Sequence, residues 1–296
     1  MTKGKAKRRK RMIGNIIRTI VFCIFLGVFL YPTFSDLWTR YRTQQLEVQY
    51  TKAVADKSQK ALDKEYRRAQ EYNKKHPYNY MQQEPFGAEN YKLRAPYKDI
   101  LNINGDGVMG MLTVPSINIK LPIYHGIGDK ALSQGCGHVE QTALPVGGKG
   151  EHTVLAAHRG LADARLFTDL DKVKKGDKFY LSILGHTLAY EVDQIKVVLP
   201  DNTKYISAVP GKDYVTLLTC TPYAINTHRL LVRGHRIKLP KEAKKQQKTD
   251  LLGRNFYIKV GIALALLVVF MVIIWGDERR AKRKKNRKKR KEAQGK

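Results

Sequence analysis

The 296-residue sequence predicts a mainly β domain that follows long helices and is flanked by two membrane-spanning segments. Three observations predict this class. Seven short runs rich in Val, Ile, Leu and Thr lie between residues 108 and 239. Apolar runs lie near both termini, and a stretch without Gly or Pro separates the first of them from the β-rich part. Strands at this spacing, joined by Gly-containing turns, are typical of a closed barrel or a sandwich.

The first apolar run, residues 13–34, follows the basic tail 1–12, in which seven Lys or Arg occur without an acidic residue. A basic segment before an apolar run is also typical of a cleaved signal peptide. No small-x-small cleavage pattern follows Leu30. We therefore interpret the run as a permanent transmembrane helix, with the Arg18 side chain extending toward its basic end.

Residues 35–75 are predicted to form one or two long amphipathic helices, because 36–75 lack Gly and Pro and carry apolar residues at helical spacing. The pattern ends at His76, since Pro77 disfavours helix at the residue before it. Residues 76–100 are rich in Tyr and Pro and show no periodicity. This composition fits either a functional lid or a plain linker.

The β-rich part, residues 101–240, has turn sequences such as Asn-Gly-Asp-Gly and Lys-Lys-Gly-Asp between its runs. One helical interruption is predicted at Leu161–Leu170. The predicted strands are Val108–Val114, Lys120–Tyr124, Thr153–Ala157, Lys178–Ile183, Thr187–Val198, Tyr214–Cys220 and Arg229–Leu239.

A polar linker, residues 241–255, leads to the second apolar run, 256–275, which is long enough to span a bilayer. The last segment, 276–296, is a second basic tail with twelve Lys or Arg against three acidic residues. Two spans place both tails on one side of the membrane. The positive-inside rule therefore predicts cytoplasmic termini and an extracellular segment between the spans.

The formal net charge of +29 does not by itself indicate a nucleic-acid site. More than half of the excess lies in the two terminal tails, directly beside apolar runs. This placement suits membrane topology better than a basic groove for nucleic acid. We therefore expect the protein to interact with the membrane and not with nucleic acid.

The chain has three cysteines, of which Cys23 lies in the first apolar run. No CxxC pair or Cys/His cluster has the spacing of a zinc site, and we expect neither a metal nor a cofactor. The two remaining cysteines, Cys136 and Cys220, could form one disulfide, which would prevent thiolate chemistry at Cys220. We favour Cys136 as a small strand residue.

Cys220 ends a β-like run, where a thiolate is held rigidly and still meets substrate, and Arg229 opens the next run nine positions later. A guanidinium there can stabilise a thiolate or a developing oxyanion. The competing interpretation is a buried, unreactive cysteine. A nucleophilic cysteine needs a base, and the residue chemistry leaves both His158, which ends the run Thr153–Ala157, and His235 open.

The motifs around these residues resemble those of the sortases of Gram-positive bacteria. Ala156-Ala-His158-Arg-Gly is followed after 62 positions by Thr216-Leu-Leu-Thr-Cys220, with Arg229 nine residues beyond. The resemblance covers most of residues 99–239. It is most detailed to the class C, pilin-polymerising sortases, which also have a C-terminal membrane span.

The resemblance implies an eight-stranded closed β-barrel that acts as a cysteine transpeptidase on an LPXTG-like sorting signal. Cys220 would be the nucleophile, His158 the general acid and base, and Arg229 the oxyanion stabiliser. The implied partners are pilin subunits, one carrying the sorting signal and the other an acceptor lysine. Two further functions remain open: a cysteine protease that only hydrolyses, and a non-enzymatic anchored β-domain.

The resemblance also interprets residues 76–100 as an active-site lid. Class C sortases carry an Asp-Pro-aromatic element in this lid, and the present chain has Glu84-Pro85-Phe86. By analogy Glu84 would pair with Arg229, and Phe86 would cover Cys220. Glutamate keeps the charge of aspartate on a longer side chain.

Overall fold

The computed structural model describes residues 3–76, 93, 95–161, 164–241 and 254–294. The chain has two compact units, one of residues 1–35 with 252–296 and the other of residues 36–251. The larger unit contains the β-rich domain and the helical segment before it.

Eight strands of the larger unit form a closed barrel in the order β1-β2-β3-β4-β7-β8-β6-β5, which confirms the predicted fold class. The pairs β2–β3 and β4–β7 are parallel, and the other neighbours are antiparallel. The strands are β1 (Val108–Val114), β2 (Ile119–His125), β3 (Cys136–His138), β4 (Glu151–Ala156), β5 (Lys178–Ile183), β6 (His186–Val198), β7 (Asp213–Thr221) and β8 (His228–Ile237).

The interior of the barrel is filled by large apolar and aromatic side chains. Phe167, Phe179 and Tyr190 are fully buried, and the Phe179 and Tyr190 rings stack with centroids 5.5 Å apart. Gly234 makes room for this pair, because a Cβ atom there would lie 2.5 Å from the Phe179 ring. A core this dense fixes the strand register, since slipping by one residue would turn every interior side chain outward.

Two helices precede the barrel, α1 (Lys3–Ala55) and α2 (Gln59–Lys75), as the pattern in residues 35–75 predicts. Ser58 caps the N-terminus of α2, and its Oγ accepts from the Ala61 N–H at 3.3 Å. Its apolar side joins the core through Leu62 and Ala69. In the last turn of the helix, Asn73 exchanges two hydrogen bonds with the backbone of Leu144, at 2.8 and 3.2 Å.

The helical interruption predicted at Leu161–Leu170 is wrong for the residues that the structure describes there. Leu166 has a φ of +35°, outside the helical region, and the Phe167 N–H bonds the carbonyl of His158, nine residues earlier. Tertiary contacts thus override a local apolar spacing. The short helix α3 lies instead at Asp129–Gln134, and β3 is too short to stand out as a run of its own.

The smaller unit contains the first part of α1 and helix α4 (Arg254–Gln294). Phe22 stacks on Phe270 with centroids 4.0 Å apart, and Arg18 donates to Asp277 at 2.9 Å. Two stretches, Met12–Ala55 and Tyr257–Asp277, are long and apolar enough to cross a membrane. The two helices are therefore candidate membrane anchors.

Candidate active site

Cys220 is the penultimate residue of β7, at the end of a strand whose preceding six residues are all buried. Its own side chain is half-buried, and its thiol is free. The buried part of β7 fixes the backbone, and the strand end leaves the sulfur open to one side. This combination suits a nucleophile and argues against a buried, unreactive cysteine at this position.

Arg229 lies directly beside Cys220, as its Cα partner in the antiparallel β7–β8 ladder. Residues opposed in this way have Cα atoms about 5 Å apart. The guanidinium Nη1 donates to the carbonyls of Asn226 and His228, at 3.0 and 3.2 Å, which tie it to the turn between the two strands. The nine-residue spacing seen in the sequence is therefore the length of a strand end, a turn and a strand start.

His158 lies two residues beyond the end of β4, which runs parallel to β7. The register pairs Ala156 with Leu218, and the Ala157 N–H continues it by bonding the Leu218 carbonyl at 3.1 Å. The hydroxyl of Thr219 donates to the Ala157 carbonyl at 2.7 Å. Continued by one more residue, this register sets His158 level with Cys220.

Burial shifts the ionisation of all three side chains in the direction of the neutral form. It raises the pKa of the Cys220 thiol and lowers the pKa of the Arg229 guanidinium. Burial also lowers the pKa of His158, although the carboxylate of Asp129 acts in the opposite direction. The resting site thus favours a neutral thiol beside a neutral imidazole, with the cationic Arg229 next to them.

The other histidine that the sequence left open lies elsewhere. His235 pairs with Tyr214 in the β7–β8 ladder, six residues before Cys220 and thus roughly 20 Å away along the strand. His125, His138 and His152 are buried, and each bonds a backbone carbonyl through a ring nitrogen. These contacts are structural.

The Cys136–Cys220 disulfide that the sequence allowed does not form, since both thiols are free. Cys136 is the first residue of β3, as expected for a small strand residue, and its sulfur lies 3.4 Å from the Pro122 carbonyl. Complete burial raises the pKa of its thiol far above the usual value. Cys220 is therefore the accessible thiol of the barrel.

Comparisons of the sequence and of the fold with known proteins agree on one family. Residues 112–237 match the Sortase domain family. Sortase C-1 from Streptococcus pneumoniae is 45% identical, with a TM-score of 0.62 over 66% of this chain and 100% of that one. The chain belongs to the sortase family.

Its structural neighbours are class C sortases. A pilus-related sortase C of Group B Streptococcus is 46% identical, with a TM-score of 0.59 over 65% of this chain and 96% of that one. Among curated proteins, sortase A of Streptococcus agalactiae serotype III (strain NEM316) is 35% identical over 131 residues. That match covers 43% of this chain and 52% of the relative, so the chain spans about half the length of that relative.

The structure of this sortase adds a residue that sequence reasoning missed. Arg159, directly after His158, donates to the hydroxyl of Thr221 at 3.0 Å and to the carboxylate of Asp171 at 2.6 Å. The sequence gives one available signal, an arginine between a candidate catalytic histidine and a glycine. That signal does not reveal the contact, because Thr221 lies 62 residues away.

The lid residues Glu84, Pro85 and Phe86 lie outside the described residues. Their expected contacts with Arg229 and Cys220 remain predictions. Near the end of the 76–100 segment, Tyr97 is fully buried, and its hydroxyl oxygen lies 2.8 Å from Nδ1 of His138. The last residues of the segment, from Tyr97 to Ile100, are thus packed against the barrel.

Proposed function

We propose that this sortase is a membrane-anchored cysteine transpeptidase of pilus assembly. It cleaves an LPXTG-like sorting signal between Thr and Gly and joins the new carboxyl end to a lysine amine of a pilin subunit. One observation carries the proposal: the register of β4, β7 and β8 brings His158, Cys220 and Arg229 to the same end of three adjacent strands. Membership of the sortase family and the likeness to pilus-related class C structures support it.

In the first half of the reaction, the proton of the Cys220 thiol resides on His158, and the resulting thiolate attacks the carbonyl carbon between Thr and Gly. A carbon–sulfur bond forms and the carbonyl electrons move onto oxygen. When the tetrahedral intermediate collapses, the carbon–nitrogen bond breaks, and His158 in its protonated form gives its proton to the departing glycine amine. The enzyme is then a thioester, which conserves the energy of the peptide bond without ATP.

In the second half, the lysine amine attacks the thioester. Neutral His158 accepts a proton from that amine, the carbon–sulfur bond breaks, and an isopeptide bond joins the two subunits. Water in place of the amine would give hydrolysis. A transpeptidase therefore depends on the acceptor amine reaching the thioester before water does.

The role proposed for Arg229 is to stabilise the oxyanion of the tetrahedral intermediate. Its backbone is opposite that of Cys220, and the guanidinium is held by two carbonyls of the β7–β8 turn. A cation fixed before the reaction costs no reorganisation when negative charge develops beside it. Partial burial strengthens this interaction, because the local dielectric is lower than in water.

The proposed location is the cell membrane, with residues 13–34 and 256–275 spanning it, both basic tails in the cytoplasm and the barrel outside. The two candidate membrane-spanning helices and the charge of the tails support this topology.

The proposed lid, residues 76–100, would cover the site through Glu84 and Phe86. A Phe86→Ala variant should then be alkylated faster at Cys220, and an unchanged rate would argue against the lid.

The function is tested by incubating the 296-residue chain in detergent micelles with pilin subunits that carry a sorting signal. We expect covalent ladders on denaturing gels and a Thr–lysine isopeptide by mass spectrometry, both absent with Cys220→Ala. Cleavage of the signal without any amine in the product would indicate a protease. Ladders that persist in Cys220→Ala would remove the catalytic role of this cysteine.

A further inference from the structure

Arg159 forms a buried connection at the candidate site to which the proposed mechanism gives no role. Its side chain is only 7% exposed. One end nitrogen donates to the hydroxyl of Thr221, the residue after Cys220, and the other to the carboxylate of Asp171. One side chain therefore joins the end of β7 to the segment that follows His158.

The backbone around Arg159 is held at several further points. The carbonyl of His158 accepts from the Phe167 N–H at 3.1 Å, and the Gly160 N–H donates to the hydroxyl of Thr168 at 3.2 Å. Gly160 has a φ of +83°, and a Cβ atom there would lie 3.1 Å from the Tyr223 ring. The three residues from 158 to 160 are thus fitted against both the 164–171 segment and the end of β7.

Stability alone does not account for this arrangement. Arg159 Nε is buried and has no hydrogen-bond partner among the described residues, which is a cost for a guanidinium. In a second ion pair on the same segment the exposures are reversed: Arg165 is 41% exposed and its partner Asp169 13%, whereas Asp171, the partner of Arg159, is 47% exposed. The segment therefore keeps one arginine at the surface and buries another beside the candidate nucleophile.

We propose that Arg159 is a positioning residue that holds the imidazole of His158 in line with the sulfur of Cys220. The inference rests on the proposed function, because it assigns His158 the proton transfer to the leaving amine. Without Arg159, the thiol and the site that binds the sorting signal are kept, but the imidazole is displaced from the leaving nitrogen. A displacement of about 1 Å is enough to slow such a step about a hundredfold.

The first test measures kcat and KM of Arg159→Gln for a sorting-signal peptide, using the 296-residue chain in detergent. We expect kcat to fall roughly 10- to 100-fold with KM changed less than about threefold. Thr221→Val, which removes the acceptor, should reproduce part of the loss, and Thr221→Ser should restore the rate. Arg165→Gln is the matched control on the same segment and should keep the wild-type kcat.

The second test separates positioning from a general structural effect. A peptide in which a thioester replaces the Thr–Gly amide loses a thiolate, a leaving group that needs no proton at neutral pH. We expect Arg159→Gln to be acylated by the thioester at nearly the wild-type rate while acylation by the amide is slow. Alkylation of Cys220 by iodoacetamide should also stay near wild type.

Three outcomes would overturn the inference: a wild-type kcat in Arg159→Gln, an equal loss on amide and thioester, or a matching loss in Arg165→Gln. An equal loss on both substrates would assign Arg159 to the fold rather than to His158. Failure of the proposed function is visible separately in wild type, which would then either form no thioester from the amide peptide or never transfer it to an added amine.

Discussion

The two ends of strand β7 carry different kinds of polar cluster on one scaffold. At the start of the strand, Asp213 accepts from the Gly148 N–H and from the Tyr190 hydroxyl, both at 3.0 Å, and Arg236 lies 3.7 Å away. At the other end lies Cys220, whose pKa is shifted by burial alone. At the first end the polar groups satisfy one another, whereas at the second the thiol remains available for chemistry.

The difference shows that charge and concavity do not by themselves mark an active site. A groove of about 670 Å³ opens at the Asp213 end, lined by Tyr66, Gly147, Gly148, Lys149, Asp213 and Arg236 among others. None of Cys220, His158 and Arg229 lines it. Among the described residues, chemistry is indicated instead where a free, half-buried thiol and a histidine lie at the same end of two adjacent strands.

The largest difference between the two ends should appear in turnover. Cys220→Ala removes the only group proposed to form the thioester, so we expect transpeptidation of a sorting-signal peptide to fall at least about a thousandfold. Asp213→Asn keeps an acceptor for the Gly148 N–H and should retain activity within about threefold. Comparable losses in both variants would erase the distinction between the ends.

A smaller but clear contrast is expected between two arginines of β8. Arg229→Ala removes the proposed oxyanion stabiliser and should lower kcat by about 10²- to 10³-fold with little change in KM. Arg236→Ala, at the far end of the same strand, should leave kcat within a few-fold of wild type. Steady-state kinetics on the same peptide provide the measurement, and a KM effect alone in Arg229→Ala would indicate substrate binding instead.

Stability should show the opposite pattern. Asp213→Ala leaves the buried Tyr190 hydroxyl and Gly148 N–H without their acceptor, which should lower the free energy of unfolding by about 1–3 kcal/mol. Cys220→Ala removes one half-exposed sulfur and should cost less than about 1 kcal/mol. Urea unfolding of the two variants, followed by far-UV circular dichroism, gives the two free energies of unfolding to be compared. A larger loss in Cys220→Ala would mean that the thiol is a core residue.

The sequence alone predicts the strands of the barrel well, because alternating apolar runs and Gly-containing turns are local properties. The bounds of β1 and β5 agree with the prediction, and those of β2, β4, β6, β7 and β8 differ by at most two residues at either end. β3 and α3 are each held in place by neighbours more than by their own pattern. The predicted helix at Leu161–Leu170 fails for the same reason.

The site residues can likewise be predicted where they are close in sequence, and not where only tertiary contacts bring them together. Cys220 and Arg229 are close in sequence, so a strand–turn–strand reading brings them together. His158 joins them only through the parallel β4–β7 register, which the residues alone do not fix, and the family resemblance had to select it over His235. The contact of Arg159 with Thr221 depends on side-chain geometry across that same register.

The smallest expected effect concerns the ionisation of Cys220. Because burial raises the pKa of its thiol above the unperturbed value of about 8.5, the thiolate is scarce at neutral pH. Alkylation by iodoacetamide should rise about tenfold per pH unit through pH 8 and reach its plateau only above pH 9. In urea the same cysteine should react with an inflection near its unperturbed pKa of about 8.5.

His158 sharpens this measurement, since burial lowers the pKa of its imidazole below 6.5 and leaves it neutral when the thiol ionises. A neutral imidazole adds no charge to the thiolate, so His158→Ala should leave the alkylation inflection unchanged. If the resting site instead held a thiolate–imidazolium pair, the wild-type inflection would lie below neutrality and would rise in His158→Ala. Turnover of wild type requires the thiolate of Cys220 and the imidazolium of His158 in the same molecule. The plot of kcat against pH should therefore be level between the pKa values of these two groups and fall on either side of them.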